Sequence, residues 1–347
     1  MFSPNETCHQ GFIGFDIFLD LLKISSVLSN SIYIIGILAL KLKCPETFRK
    51  YQTLLLIHTI SNMFFENYLT IIWKFMLTPP WMSLCGFGLM FNYPAMSVGF
   101  FLVFLLSNAQ TIIVLLEYRM KSVASFIPQK TLKISKALNY FYSLTQLLVF
   151  FSFIYSYEDF EDQRDYKLKI DKTDGPLPNF IFCDNCIVFN LDSSKTILFA
   201  ISATFSTAIA ASAQNLMSFA SSHAISSNSS IFSSRTLVVQ KSFLRSLFIQ
   251  LGVHVLFLAT PLLIFFGAFL LRLSMEKWQI FMHFLTICFY QHGSFSTLAM
   301  LLTNKQLKRS LKLFIKKLQR KLKLNSKTES GHNLQMTTTS LHIISKM

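Results

Sequence analysis

The chain has 347 residues, of which 52% are hydrophobic and 14% charged, with 37 Phe against 11 Gly. Its mean hydropathy is +0.45. A water-soluble chain carries about 25% charged residues, so this composition excludes an ordinary soluble enzyme, a disordered chain, a collagen-like repeat and a disulfide scaffold. The net charge of +15 would suit nucleic acid only if it formed its own surface. Placed beside apolar spans, the same charge is explained by a membrane surface, and no nucleic-acid partner is expected.

The apolar stretches predict an all-α membrane protein, a seven-transmembrane helix bundle followed by an amphipathic cytoplasmic helix. A bilayer core needs roughly 20 apolar helical residues to cross it. Seven stretches qualify, at approximately 17–40, 53–77, 94–116, 137–157, 196–219, 246–271 and 279–302. Segments 1–16, 78–93, 158–195 and 272–278 then share one side, with seven Lys and Arg between them. Segments 41–52, 117–136, 220–245 and 303–347 share the other, with 23. Positive charge favours the cytoplasm, so the N-terminus is expected outside, in a multi-pass plasma-membrane protein. Nine of the 17 acidic residues fall in the outside loop 158–195, which agrees.

The N-terminal segment 1–16 has no Lys or Arg and no apolar h-region, so the first span is expected to act as an uncleaved anchor. It carries the sequon Asn5-Glu6-Thr7, a glycosylation candidate, and Cys8. The second span holds His58, Asn62, Glu66, Thr70 and Lys74 at four-residue intervals. Four residues turn a helix by about 400°, so this row shares one slowly drifting face. Charge is expensive in a bilayer, so the face is expected to point into the bundle as a polar network with a role in switching. Lys74 is expected to snorkel to the outer interface.

Cys85 precedes the third span, and Cys183 and Cys186 lie in the loop 158–195. All four outside cysteines are disulfide candidates. Pairing Cys85 with either Cys183 or Cys186 would pin that loop over the bundle, with Cys8 free to take the other. The lone Cys-x-x-Cys lacks a second pair, so no metal site is expected. Cys44 and Cys288 read as small apolar residues. The third span offers Tyr93, Ser97 and Phe101 as ligand-pocket candidates and ends in Glu117-Tyr118-Arg119. Glu117 and Arg119 are two apart, so their side chains diverge on a helix.

The Ser-rich segment 221–234 reads as a flexible inner loop. In the sixth span His254 and Phe265 are pocket candidates, and Pro261 is expected to kink the helix. In the seventh, His283 and Tyr290 are pocket candidates. From Lys305 to Lys323, Leu307, Leu311, Phe314, Ile315, Leu318 and Leu322 recur at helical spacing among basic residues. Such a helix over 303–325 lies on anionic inner-leaflet lipid. The tail 326–347 is polar and expected to be disordered. No catalytic constellation or cofactor-binding motif is present, so no enzymatic activity and no cofactor are expected. The outer halves of the spans would enclose an apolar cavity for a small molecule.

Four motifs resemble the nematode serpentine chemoreceptors, most closely class H. Leu115-Leu116-Glu117-Tyr118-Arg119 is similar to that class's Leu-Phe-Glu-Asn-Arg, with Tyr118 in place of Asn. The run Ser234-Arg235-Thr236-Leu237-Val238-Val239-Gln240-Lys241 resembles its approach to span six. Gln250 with Pro261 resembles its span-six pattern. His292-Gly293-Ser294-Phe295-Ser296-Thr297 resembles its His-Gly-x-x-Ser-Thr run in span seven. The resemblance covers residues 12–312. It implies a G-protein-coupled receptor in a sensory-neuron cilium that binds a small-molecule ligand and signals through a heterotrimeric G protein, with Glu117 and Arg119 in coupling. A seven-span cation channel of the odorant-receptor type would have the opposite orientation. A small-solute transporter would favour paired half-repeats with broken helices, which the sequence does not show.

Overall fold

The computed structural model describes residues 15–319 apart from 43–45, 79–82, 91, 162, 174–176, 178, 191, 229, 231–233, 272–278, 305–306, 310, 313–314 and 317–318. The candidates Asn5 and Cys8 and the tail 326–347 lie outside the described residues. "Outer" below means the end at which the first helix begins.

Helices α1 (Phe15–Lys41), α2 (Glu46–Asn67), α3 (Pro94–Ser122), α4 (Gln129–Glu161) and α6 (Ser194–Ser227) pack in sequence around a bundle. Helices α7 (Ser234–His254) and α8 (Thr260–Leu270) form one further rod. Helices α9 (Gln279–Tyr290) and α10 (His292–Thr303) form another, and α10 returns to pack on α1 and α2, closing the ring. Among the described residues five helices are long and apolar enough to cross a membrane by length and composition. The rod of α2 is too polar for that test because it carries the buried row. The last rod is interrupted at Gln291.

Several elements extend past the sequence-based bounds. The segment read as a flexible loop at 221–234 is helical to Ser227, and α7 already begins at Ser234. Alanine and serine pack tightly enough there for α6 to continue, with Ser221 and Ala224 both buried. Of the basic helix after the last span, the described residues are helical, and Leu307 is buried in the inner core with Leu311 against it.

The second span does not run helically to 77. A wide π turn over Tyr68–Trp73 ends it, and Lys74 takes a left-handed conformation at φ 50°. Lys74 therefore leaves the four-residue row. The chain then enters strand β1 (Phe75–Thr78), which pairs antiparallel with β2 (Ser83–Gly86), Phe75 opposite Gly86. Strand β3 (Cys186–Val188), from the long outer loop, pairs antiparallel with β2, Cys85 opposite Cys186. That register carries the Cys85–Cys186 disulfide, so of the two pairings left open by the sequence it is Cys186 that joins Cys85. Cys183 is also disulfide-bonded.

The end of the π turn is capped by the chain returning from β2. Gly88 donates its N–H to the Trp73 carbonyl at 2.9 Å, and Met90 donates to Ile72 at 3.1 Å. These bonds satisfy carbonyls that a helix end leaves unpaired. A Cβ at Gly88 would overlap the Ile72 carbonyl, so glycine is required by the close approach.

The outer loop is ordered on this sheet. Helix α5 (Arg164–Thr173) places Lys167 beneath it, where Nζ donates to the carbonyls of Cys186 at 2.8 Å and Cys183 at 3.0 Å. Burial pushes the Lys167 ammonium down to about 8. Val188 N–H donates to Gln163 Oε1 at 2.6 Å. The loop is thus a folded cover, which its charge content alone did not suggest.

Two hydrophobic clusters fill the bundle. The outer one is dominated by aromatic rings, among them Phe65, Trp73, Phe75, Phe101, Phe199, Phe265 and Phe289. The inner one is mainly aliphatic, with Leu55, Ile112, Leu116, Met217 and Leu247, and holds Tyr51. Helices α4 and α6 approach through small polar residues, with Ser152 Oγ 2.7 Å from Ser202 Oγ and Thr145 donating to Ser206 at 3.2 Å. Small residues permit close helix contact, and their hydroxyls bond across it.

Candidate functional site

A polar belt separates the two clusters. Helix α2 and the π turn that ends it contribute it through the row His58, Asn62, Glu66 and Thr70, all buried. The spacing places them on one face, and apolar neighbours elsewhere on α2 turn that face inward. Glu66 Oε2 accepts the Tyr33 hydroxyl of α1 at 2.6 Å and the Ser294 backbone N–H of α10 at 2.9 Å. Tyr33, Glu66 and Ser294 thereby tie three rods. Thr70 turns back and donates to the Glu66 carbonyl at 2.8 Å. His58 Nδ1 lies 2.8 Å from Thr111 Oγ1 on α3, and its Nε2 lies 3.2 Å from Asn62 Nδ2. Asn108, also on α3, donates to Asn62 Oδ1. On α1, Ser29 donates to Gln291 Oε1 at 2.7 Å, and Asn30 exchanges two bonds with Asn67.

The break at Gln291 serves this belt. Gly293 sits so close to α1 and α2 that a Cβ there would overlap the Tyr33 hydroxyl and stand 2.9 Å from Asn62 Cβ. Glycine lets the α10 backbone come near enough for Ser294 N–H to reach Glu66. Gly293→Ala is therefore expected to push α10 outward and lower stability by about 1–3 kcal/mol, read as a lower melting temperature of the detergent-purified protein. An unchanged melting temperature would show that the belt tolerates the wider spacing.

Three histidine rings stand in the belt. The His254 ring lies 5.2 Å from His58 and 5.7 Å from His292. Nδ1 of His254 lies 2.9 Å from the Gln250 carbonyl, and Nδ1 of His292 lies 2.8 Å from that of Phe289. Among the described residues no His, Cys, Asp and Glu cluster has a metal-holding arrangement.

Two neighbouring cavities lie on the outer side of the belt and alongside it. The outer chamber, of about 40 Å³, is enclosed by Trp73, Phe75, Phe101, Phe189, Phe199, Phe265, Phe266 and Phe289, with Thr286 among them. Its roof is β1 and β2, through Leu77 and Leu84. The deeper chamber, of about 70 Å³, lies between α3, α4, α6 and the sixth rod, and reaches His254 and Gln214. Phe101, Leu262 and Phe266 line both. The sixth rod widens here into a π turn over Val255–Ala259, one turn before Pro261. Proline has no N–H to give and its ring crowds the preceding turn. The wide turn relieves both, and Thr260 donates its hydroxyl to the Val255 carbonyl at 2.8 Å.

Of the sequence-named pocket candidates, Phe101, Phe265 and His254 line these chambers. The others do not. Tyr93 is 61% exposed at the start of α3 and borders a separate outer cavity of about 700 Å³ beside Arg164 and Lys167. Ser97 is turned back to the Tyr93 carbonyl at 2.9 Å. The Tyr290 hydroxyl donates to the Phe75 carbonyl, which fixes the roof. His283 packs on Phe18 of α1 at 6.0 Å. Phe75 and Phe189 escaped sequence reading because one was assigned to a span and the other to a loop. Asn108 carried a signal that was not read: with Gln110 it is one of two carboxamides in the middle of the third apolar span.

At the inner end, Arg119 is 8% exposed. Its Nη1 donates to Gln240 Oε1 of α7 at 3.0 Å. Its guanidinium stacks 4.3 Å from the Tyr51 ring of α2 and 4.7 Å from the Phe243 ring of α7. Glu117 turns the other way and pairs with Lys121 at 2.7 Å. Arg119 thus joins α2, α3 and α7 at the inner face.

Comparison with curated proteins finds no match. The family model for the serpentine type 7TM GPCR chemoreceptor Srh matches residues 16–317, which include the belt, both chambers and the Arg119 contact. The chain accordingly belongs to the Srh family of serpentine seven-transmembrane G-protein-coupled chemoreceptors.

Proposed function

We propose that this chain is a sensory receptor that takes a small, mainly apolar molecule into the aromatic chamber and signals through a heterotrimeric G protein at the Arg119 face. The observation that carries the reading is the placement of the sixth rod. One element lines the ligand chamber through Phe265, crosses the belt at His254 and holds Arg119 through Gln240. A ligand that fits one arrangement of that rod better than another shifts the population between them. The reading requires the N-terminus outside, as the distribution of Lys and Arg indicates.

Topology tests this. Expressed in cells, the protein is expected to carry a removable glycan at Asn5 and to hide a C-terminal tag until the membrane is permeabilised. An unmodified Asn5 with an exposed tag would invert the bundle. That result would remove the G-protein mechanism and favour the seven-span cation channel.

A further inference from the structure

Cys183 has a covalent bond whose other end follows by elimination. It is disulfide-bonded. The chain has six cysteines. Cys85 and Cys186 hold each other, and Cys288 in α9 is a free thiol. Cys8 and Cys44 remain, both outside the described residues. Cys44 is bracketed by Leu42 and Glu46, just past the inner end of α1, where Leu40 packs in the inner cluster. Cys183 belongs to the outer loop: its carbonyl accepts the Lys167 ammonium at 3.0 Å, and its neighbours Phe180, Ile181 and Cys186 pack in the outer cluster. The 27 residues of α1 put about 40 Å between these two levels, whereas a disulfide needs its Cα atoms within about 7 Å. Cys44 is therefore out of reach. Cys8 is on the right side, seven positions before Phe15 at the outer start of α1. That stretch spans up to about 24 Å, and Phe18, one turn further on, joins the same outer cluster as the residues beside Cys183.

We infer that Cys8 is the partner of Cys183, and that this bond makes residues 9–14 a covalent strap from the first rod to the outer cover. The bond rests on the proposed outside N-terminus, since the outer side is where disulfides persist. Each thiol gives up one proton, and the pair gives up two electrons by exchange to a disulfide oxidant of the secretory compartment. The strap has a definite mechanical place. Strand β2 roofs the aromatic chamber through Leu84 and is tied to β3 by Cys85–Cys186. The β1 edge of the sheet is held by Tyr290, whose hydroxyl donates to the Phe75 carbonyl and whose ring packs on Phe18. The segment entering β3 is held on the bundle side by Lys167, and the strap fastens it to α1 as well. The roof of the chamber is then fixed at both edges.

Disulfide mapping of the full chain, expressed through a secretory pathway and purified from membranes, tests the bond. The protein is alkylated in denaturant without reductant, then digested with trypsin and with a protease that cuts before aspartate. Trypsin separates Cys44 from Cys85, and the cut before Asp184 separates Cys183 from Cys186. The expected products are a linked pair carrying Cys8 and Cys183, a second carrying Cys85 and Cys186, and alkylated Cys44 and Cys288. Alkylated Cys8 beside an intact Cys85–Cys186 pair would overturn the strap alone, as would Cys183 linked to Cys44 or to a second copy. Alkylation of all four outer cysteines would overturn it together with the outside N-terminus, so the two failures are told apart. The fastening is read by amide hydrogen exchange in lipid nanodiscs. Cys8→Ser and Cys183→Ser are each expected to speed exchange over residues 179–188 by about tenfold, with the double variant no faster than either. Exchange in both single variants at the wild-type rate would overturn the strap as a fastening of the roof.

Discussion

Glu66→Leu is expected to lower the unfolding free energy by about 2–5 kcal/mol, the range for leaving two buried donors unpaired. The Tyr33 hydroxyl and the Ser294 N–H both end on Glu66 Oε2. Leucine fills a similar volume but accepts nothing, so both donors stay buried without a partner in a place lipid and core deny to water. Glu66→Gln keeps an accepting oxygen at the same reach and is expected to retain most of the stability. The measurement is thermal unfolding of both variants in one detergent. A leucine variant as stable as the glutamine variant would mean that Tyr33 and Ser294 find other acceptors and that the belt is not held by Glu66.

The belt shows which parts of such a site a sequence carries. The row of His58, Asn62, Glu66 and Thr70 was legible because its four-residue period is a property of one helix. Its partners Tyr33, Asn108, Thr111 and Ser294 were not, since each lies on another rod and shares no spacing with α2. Arg119 was legible as a polar residue diverging from Glu117, but its acceptor Gln240 lies 121 positions away. The seven-rod architecture followed from apolar length. The small sheet did not, because strands of three and four residues are too short for a period-2 pattern to declare itself. Phe75-Met76-Leu77 reads equally well as the end of an apolar helix. The choice between Cys183 and Cys186 also depends on the register of β2 with β3, which no cysteine count contains. Pro261 announced a kink, whereas the π turn at Tyr68–Trp73 has no proline and gave no sign. It depends on Gly88 approaching from the next segment.

The two chambers and the inner face lie on one rod, and that sets the second large effect. From Phe265 to Gln240 the sixth rod covers about 37 Å at helical rise. Within it are the π turn at Val255–Ala259 and Pro261, where the backbone already departs from regular α-helix. Movement at the outer end therefore has a place to be absorbed or redirected before the inner end responds. At that inner end, Arg119 holds α7 by one charged hydrogen bond and by its stack on Phe243. At the inner face Leu247, Met217 and Leu116 pack in one cluster, and the proposed signalling mechanism takes this packing as its closed arrangement. Gln240→Leu removes the bond and leaves the stack. A hydrogen bond to a charged group contributes about 1.5–3 kcal/mol, so the closed arrangement should lose roughly 10–100-fold in its population ratio to the open one. Basal G-protein activation without ligand is expected to rise accordingly, measured by nucleotide exchange on a co-reconstituted G protein. Arg119→Ala also opens the face but removes the cation proposed to meet the G protein, and is expected to show no such rise. Equal basal exchange in wild type and Gln240→Leu would mean that Arg119 keeps Gln240 in both arrangements and that α7 moves with α3 rather than away from it.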